Sequence, residues 1–132
     1  MRAIPASDAP RWLKPLGPEV RALPAGEWWD AVRVPLAAGL RTLEHLGPRT
    51  GAVLEDGYGS VLYWLVPPGT AAGWDLPPAH VLGSGSHVAI PPRHRTYPPG
   101  PHWRVPPTRT RYWTDPDTLH TALRAALRTA LS

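Results

Sequence analysis

The sequence predicts one small α+β domain, with a mainly antiparallel sheet, two principal helices and proline-rich loops. Leucines recur at helical spacing in two separate segments, and apolar runs of strand length lie between them. The chain also has 19 prolines and 12 glycines, which interrupt these runs and mark loops. Its 132 residues suffice for one hydrophobic core, and its seven tryptophans provide large apolar surfaces to bury.

The first 26 residues show no sustained periodicity and contain five prolines. We predict a flexible or surface-wrapping arm over residues 1–26, attached to the body by Trp12, Leu13 and Leu16. The α+β domain is then expected to span residues 27–132.

The first strand and helix are predicted from the segment after this arm. Residues 28–34 have the composition of a strand and end at Pro35, which suits the first turn of a helix. Apolar residues then recur at helical spacing, and Gly47 followed by Pro48 marks the end of the helix. The leucines of this stripe are Leu36, Leu40, Leu43 and Leu46.

A hairpin is predicted next, because the runs 51–54 and 60–66 are separated by a turn that contains Asp-Gly. Both faces of the second run are apolar, so we expect a central strand that is covered on both sides. Residues 70–79 are predicted as a loop or short helical turn. Residues 80–82 and 87–90 are predicted as two strands, or as one strand bent at Gly83 and Gly85.

The last predicted elements are a short strand at residues 102–105 and a C-terminal helix. Asp115 and Pro116 supply a helix cap and a first-turn proline, and Asp117 complements the helix dipole. The apolar stripe of this helix consists of Leu119, Leu123, Leu127 and Leu131.

Composition limits the classes of function. The chain contains no cysteine, hence no disulfide framework or thiolate metal site. Because it shows neither an apolar run of about 20 residues nor a signal-peptide block, we expect a cytoplasmic protein without a membrane span.

The positive charge is concentrated in one segment. Residues 76–114 contain no acid, whereas residues 1–75 have 7 basic and 8 acidic residues. Such asymmetry indicates an anionic partner, although a solvated basic loop would look the same. Aromatic residues are interleaved with the arginines, as in proteins that grip single-stranded nucleic acid. The predicted nucleic-acid-binding residues are Arg93, Arg95, Tyr97, Trp103, Arg104, Arg109 and Arg111.

Four pieces of the chain follow one another in a particular order. They are the strand that ends at Pro35, the Leu-rich helix after it, the segment 59–69 with Leu62-Tyr63-Trp64 and Pro67-Pro68-Gly69, and the segment 80–92 that ends in Pro91-Pro92. This order resembles the bifunctional DNA primase/polymerase N-terminal (prim-pol) domain of the archaeo-eukaryotic primase superfamily. The resemblance covers about residues 28–107.

The resemblance implies a nucleotidyl-transfer site, but its functional positions are replaced in this chain. Aligned on Pro35, the paired acids of the family fall on Val32 and Val34, the motif histidine on Val61 and the third acid on His80. Two-metal phosphoryl transfer needs several anionic oxygen ligands, which valines cannot supply. We therefore expect a protein without catalytic residues, bound metal or cofactor. Relocated acids at Asp30, Glu55, Asp56 or Asp75 are the alternative.

Two further patterns are weaker. The Gly83-Ser84-Gly85-Ser86 segment offers backbone N–H groups to a phosphate, but it lacks the lysine and following helix of a phosphate-binding loop, so a glycine-bent strand or hairpin is preferred. The spacing of His80, His87, His94 and His102 places no pair on one helix face, which argues against a metal site.

The function predicted from the sequence is non-catalytic binding of single-stranded nucleic acid or a nucleotide through the basic segment. The alternative is an interaction module that docks a protein partner and uses the scaffold only for its shape. The sequence does not indicate an oligomeric state.

Overall fold

The computed structural model of the chain describes residues 9–13 and 19–131. Within them, seven strands and two α-helices form an α+β domain with antiparallel sheets, as predicted. The strands are β1 (Arg21–Pro24), β2 (Asp30–Pro35), β3 (Val53–Asp56), β4 (Val61–Val66), β5 (His80–Leu82), β6 (His87–Ile90) and β7 (Pro101–Val105). The helices are α1 (Leu36–Leu46), which continues into a 3-10 turn at Gly47–Arg49, and α2 (Pro116–Leu131).

The main sheet has five strands in the order β5-β2-β4-β3-β7, all antiparallel. β4 lies at its centre, and Leu62, Trp64, Leu65 and Val66 are fully buried on both of its faces. The prediction of a central, doubly covered strand is therefore confirmed.

Both helices cover one face of this sheet. Val32, Val34, Leu62 and Trp64 point toward them and form one core with the buried stripe of α2. In that stripe Leu119 and Leu123 are completely buried and Leu127 nearly so. The side chain of Leu131, which was assigned to the same stripe, lies outside the described residues.

The opposite face is partly covered by a second, two-stranded sheet of β1 and β6. Its core contains Trp12, Trp29 and Trp103, and the indole rings of Trp12 and Trp29 meet edge to face at 5.8 Å between centroids. The part of the predicted arm that the structure describes therefore belongs to the folded body. Trp12 and Leu13 are buried as expected, residues 21–24 form a strand, and Leu16 lies outside the described residues.

The Gly-Ser segment is a turn between strands of different sheets. β5 pairs with β2 and β6 pairs with β1, and Ser86 N donates to Gly83 O at 3.0 Å. Gly85 has φ of +95°, a backbone conformation that glycine adopts without strain. Of the two predicted alternatives, two strands are therefore present. The turn between them connects the two sheets and forms neither a bent strand nor a hairpin.

Helix α2 begins as its sequence predicts. Asp115 Oδ2 accepts hydrogen bonds from the Thr118 backbone N–H at 2.9 Å and from the Thr118 hydroxyl at 2.8 Å. These bonds favour the ionised carboxylate and lower the pKa of Asp115 below its ordinary value of 3.8. No helix in the described part of the chain is long and apolar enough to cross a membrane.

Candidate nucleic-acid interface

The basic segment lies along the outer edge of the main sheet. β7 is the last strand of that sheet, and the chain before it runs back alongside its free edge. Trp103 N donates to Arg95 O at 2.8 Å, and Arg93 Nε donates to Pro107 O at 2.8 Å. We call residues 93–97, β7 and residues 108–111 the basic edge. It brings together all the sequence-predicted binding residues on one side of the domain, although not all of them face solvent.

Three arginines of the basic edge are held by contacts with the protein. Besides the bond from Arg93, the Arg111 guanidinium donates through Nη2 to Pro48 O. Arg104 donates from Nε to Glu55 Oε1 at 2.8 Å, and its Nη2 lies 2.8 Å from the same oxygen. Glu55 therefore balances the charge of Arg104, and this solvent-exposed pair contributes at most about 1 kcal/mol to stability.

The other two arginines are less constrained. Arg109 is exposed and Arg95 is half-buried, and neither side chain forms a hydrogen bond or ion pair with the described part of the chain. A guanidinium without an internal partner keeps all five N–H donors for an incoming anion. Arg95 and Arg109 are therefore the best-placed candidates of the basic edge for contact with a phosphate.

Trp103 is not a surface residue, so its assignment as a stacking residue is wrong. Its side chain is 1% exposed and its indole Nε1 donates to Pro91 O at 3.1 Å. The residue lies opposite Leu54 across β3 and β7 and belongs to the core beneath the second sheet. Because a base cannot reach a buried ring, Trp103 supports the fold of the edge and does not contact a ligand.

Two exposed tyrosines lie at the end of the basic edge nearest the β3–β4 turn. Tyr97 is 79% exposed and Tyr58 is 80% exposed. A Cβ built on Gly100 would lie 3.4 Å from the Tyr58 ring, so Tyr58 is next to the loop that follows Tyr97. The sequence analysis missed Tyr58. Its signal was an aromatic residue between Gly57 and Gly59 in a hairpin turn, where side chains point into solvent.

The four positions aligned with the prim-pol site do not share a face of the sheet. Val32 and Val34 are fully buried beneath the helices. Val61 and His80 lie on the opposite face, where they line a groove of about 350 Å³ together with Arg33 and Tyr63. Acids introduced at all four positions would therefore not meet around one metal pair.

The remaining acids and histidines also lie apart. Glu55 binds Arg104, and Asp56 Oδ1 accepts a hydrogen bond from Tyr58 N at 3.1 Å, so both have structural partners. Asp30 and Asp75 line a different pocket. Of the four histidines, only His102 is buried, with Nδ1 2.9 Å from Gly100 O. Among the described residues no group of three or more acids and histidines is arranged to hold a metal ion.

Comparison of the chain with protein-family models, curated proteins and solved structures gives no match. The prim-pol resemblance therefore depends on the residues quoted above.

Proposed function

We propose that this domain binds single-stranded nucleic acid along the basic edge and performs no nucleotidyl transfer of its own. The observation that carries the proposal is the pair of exposed rings, Tyr58 and Tyr97, at one end of an edge that supplies five arginines. Two large aromatic side chains that are about four-fifths exposed gain nothing from the core, whereas bases stack on such rings.

The charge distribution supports the same ligand. Among the described residues, one carboxylate, that of Glu55, forms an ion pair with the five arginines, which leaves the edge positive. A positive stripe attracts a phosphate backbone without selecting a sequence, and tyrosines at its end accept any base. The absence of cysteine from the sequence is consistent with a cytoplasmic location.

A binding titration tests the proposal. Labelled oligothymidylate is titrated at two salt concentrations with the wild type, Arg95→Gln, Arg109→Gln, Tyr58→Ala and Tyr97→Ala. Each arginine variant should reduce the logarithmic salt slope by roughly 0.7. Each tyrosine variant should lose ~1–3 kcal/mol of binding free energy while the slope stays the same.

Arg124→Gln is the matched control, because Arg124 is an exposed arginine on α2, outside the basic edge. It should leave both affinity and slope unchanged. An equal loss in Arg124→Gln and Arg95→Gln would show unspecific attraction to a basic protein and would contradict an interface at this edge.

The proposed lack of catalysis has its own assay. Protein supplied with Mg²⁺ or Mn²⁺, a primed template and nucleotides should not extend a strand, because the four prim-pol positions hold no carboxylate. Incorporation that is lost in Asp30→Asn or Asp75→Asn would instead establish an enzyme with relocated acids.

A second candidate function, docking of a protein partner, is favoured by another aromatic surface. Trp28 is 43% exposed and Trp113 is 44% exposed, and Trp113 Nε1 donates to Trp28 O at 2.9 Å. Partly exposed tryptophans held together in this way are typical of protein interfaces. If the domain bound no oligonucleotide, and Trp28→Ala or Trp113→Ala abolished capture of a protein partner, this candidate would replace the first.

A further inference from the structure

A pocket lies at the edge of the main sheet opposite the basic edge. It lies beside the start of β2, along β5 and the loop before it, and encloses about 490 Å³. Small-molecule sites in proteins have volumes of about 300–1,000 Å³. The residues that the argument uses are Asp30, Trp74, Asp75 and Gly83.

Asp30 forms the inner wall of this pocket and is only partly satisfied. Its side chain is buried, with 5% of the residue exposed. Oδ2 accepts a hydrogen bond from Gly69 N at 2.8 Å, whereas Oδ1 has no hydrogen-bond partner among the described residues. A buried carboxylate oxygen without a donor is unfavourable, since desolvation is not compensated. The geometry of Asp30 therefore leaves one position for an external hydrogen-bond donor.

Gly83 leaves the space beside the Asp30 carboxylate free of a side chain. A Cβ at position 83 would lie 3.7 Å from Oδ2 and 3.8 Å from Oδ1, in ordinary van der Waals contact with both. The methyl group of an alanine would therefore fit beside the carboxylate without a clash. Glycine at this position leaves that space to a ligand.

The lining of the pocket selects a cation. Asp75, which is exposed, adds a second carboxylate and Trp74 an aromatic side chain. His80 also lines the pocket, but no lysine or arginine does so within the described chain. Two acids in a protein with a net charge of +4 make a local negative site, and an indole face attracts ammonium groups. Because Asp30 has one unpaired oxygen, a compact ammonium fits better than a guanidinium, which prefers to bind both oxygens.

We propose that this pocket, which we call the Asp30 pocket, binds a small primary amine whose ammonium group donates to Asp30 Oδ1. Trp74 packs against the apolar part of the ligand, and Asp75 strengthens its attraction. The proposal is independent of the basic edge, because none of its residues belongs to that surface.

The test uses 1,4-diaminobutane as the probe and 1,4-butanediol as its neutral counterpart. Binding is followed by NMR at the amide of Gly69, whose hydrogen bond to Asp30 reports on the carboxylate. We expect saturable shifts with the diamine and a dissociation constant on the order of a millimolar, as suits a ligand of this size. The diol should give no saturable shift.

Three variants locate the site. Asp30→Asn keeps an acceptor for Gly69 N but puts an uncharged amide in place of the carboxylate, so diamine affinity should fall roughly tenfold or more. Gly83→Ala retains the charge and covers it with a methyl group, and it should weaken binding comparably. Asp75→Asn should weaken it less, and Glu44→Gln, an equal loss of charge on the exposed side of α1, should have no effect.

Several outcomes would overturn the proposal. These are absence of saturable shifts in the wild type, equal shifts with diamine and diol, or unchanged affinity in folded Asp30→Asn. If Asp30→Asn does not fold, unchanged diamine affinity in Gly83→Ala has the same consequence. Oligonucleotide affinity at the basic edge should stay the same in Gly83→Ala, so failure of one proposal is distinguishable from failure of the other.

Discussion

Trp103 and Tyr97 are aromatic residues of the same proline-rich segment, but they have opposite environments. Trp103 is 1% exposed beneath the second sheet, whereas Tyr97 is 79% exposed. The difference is set by pairing: Trp103 faces Leu54 across the strands, and Tyr97 precedes β7 in a loop. The amino-acid composition of the segment does not distinguish the two residues, and only the register of β7 separates the buried ring from the exposed one.

The first prediction compares these two residues. Trp103→Ala removes a buried ring and its hydrogen bond to Pro91 O, so it should lower the free energy of unfolding by ~3–5 kcal/mol. Tyr97→Ala, as control, should change it by no more than about 0.5 kcal/mol. Urea denaturation followed by far-UV circular dichroism measures both. Equal stability of the two variants would contradict the burial of Trp103.

At the scale of elements, α2 is stabilised in two ways. Its N-terminal cap is formed by residues close in the chain, whereas its buried side chains pack on distant elements. Its first turn is fixed by Asp115 and Thr118, which are close in the chain. Its buried stripe, in contrast, packs on α1 and β4. Arg41 Nε also donates to Ala126 O at 3.3 Å, which links the two helices directly. Local and long-range interactions in α2 can therefore be tested separately.

The pH dependence of stability tests the cap. Since the folded state lowers the pKa of Asp115 below 3.8, its ionised form contributes stability that is complete above that value. The contribution is lost as the pH falls through the lowered pKa. Asp115→Ala should therefore melt below the wild type near neutral pH, and the gap should close in strong acid. A gap that is independent of pH, measured by thermal melts, would show that the ionised carboxylate does not stabilise the helix.

The long-range interactions of α2 are tested at Leu123. This side chain is completely buried between α2 and the main sheet, so Leu123→Ala should lower the free energy of unfolding by ~2–5 kcal/mol. Arg124→Ala, at the neighbouring exposed position, should change it by no more than about 0.5 kcal/mol. Chemical denaturation gives both values. A stable Leu123→Ala variant would mean that α2 does not complete the core.

At the scale of the whole molecule, the sequence predicts individual helices and strands better than it predicts which strands pair with one another. Both helices, the central position of β4 and the cap of α2 follow from local periodicity and turn residues. The pairing of β1 with β6, which forms the second sheet, could not be predicted from the local sequence. β1 has only four residues and ends in Pro24, so its sequence does not resemble that of a typical strand. The same limit applies to the candidate sites. The clustering of the basic-edge arginines in one segment is visible in the sequence, but the exposure of Tyr58 and the pocket at Asp30 arise only from tertiary structure.

The last prediction concerns residues 1–26, whose described part, residues 9–13 and 19–26, packs on the body of the domain. A fragment comprising residues 27–132 lacks β1, so β6 loses its only partner strand within the described chain. It also lacks Trp12, whose ring lies 5.8 Å from Trp29 and 6.5 Å from Trp103 between centroids. Removing this cover exposes several large apolar side chains to water, and small domains have only about 5–15 kcal/mol of stability to lose. The fragment should therefore melt at a lower temperature and without a sharp transition in calorimetry. Full-length Trp12→Ala separates the two causes, since it keeps β1 and should retain a cooperative transition at reduced temperature. A fragment that melts like the full chain would show instead that residues 1–26 are a dispensable arm.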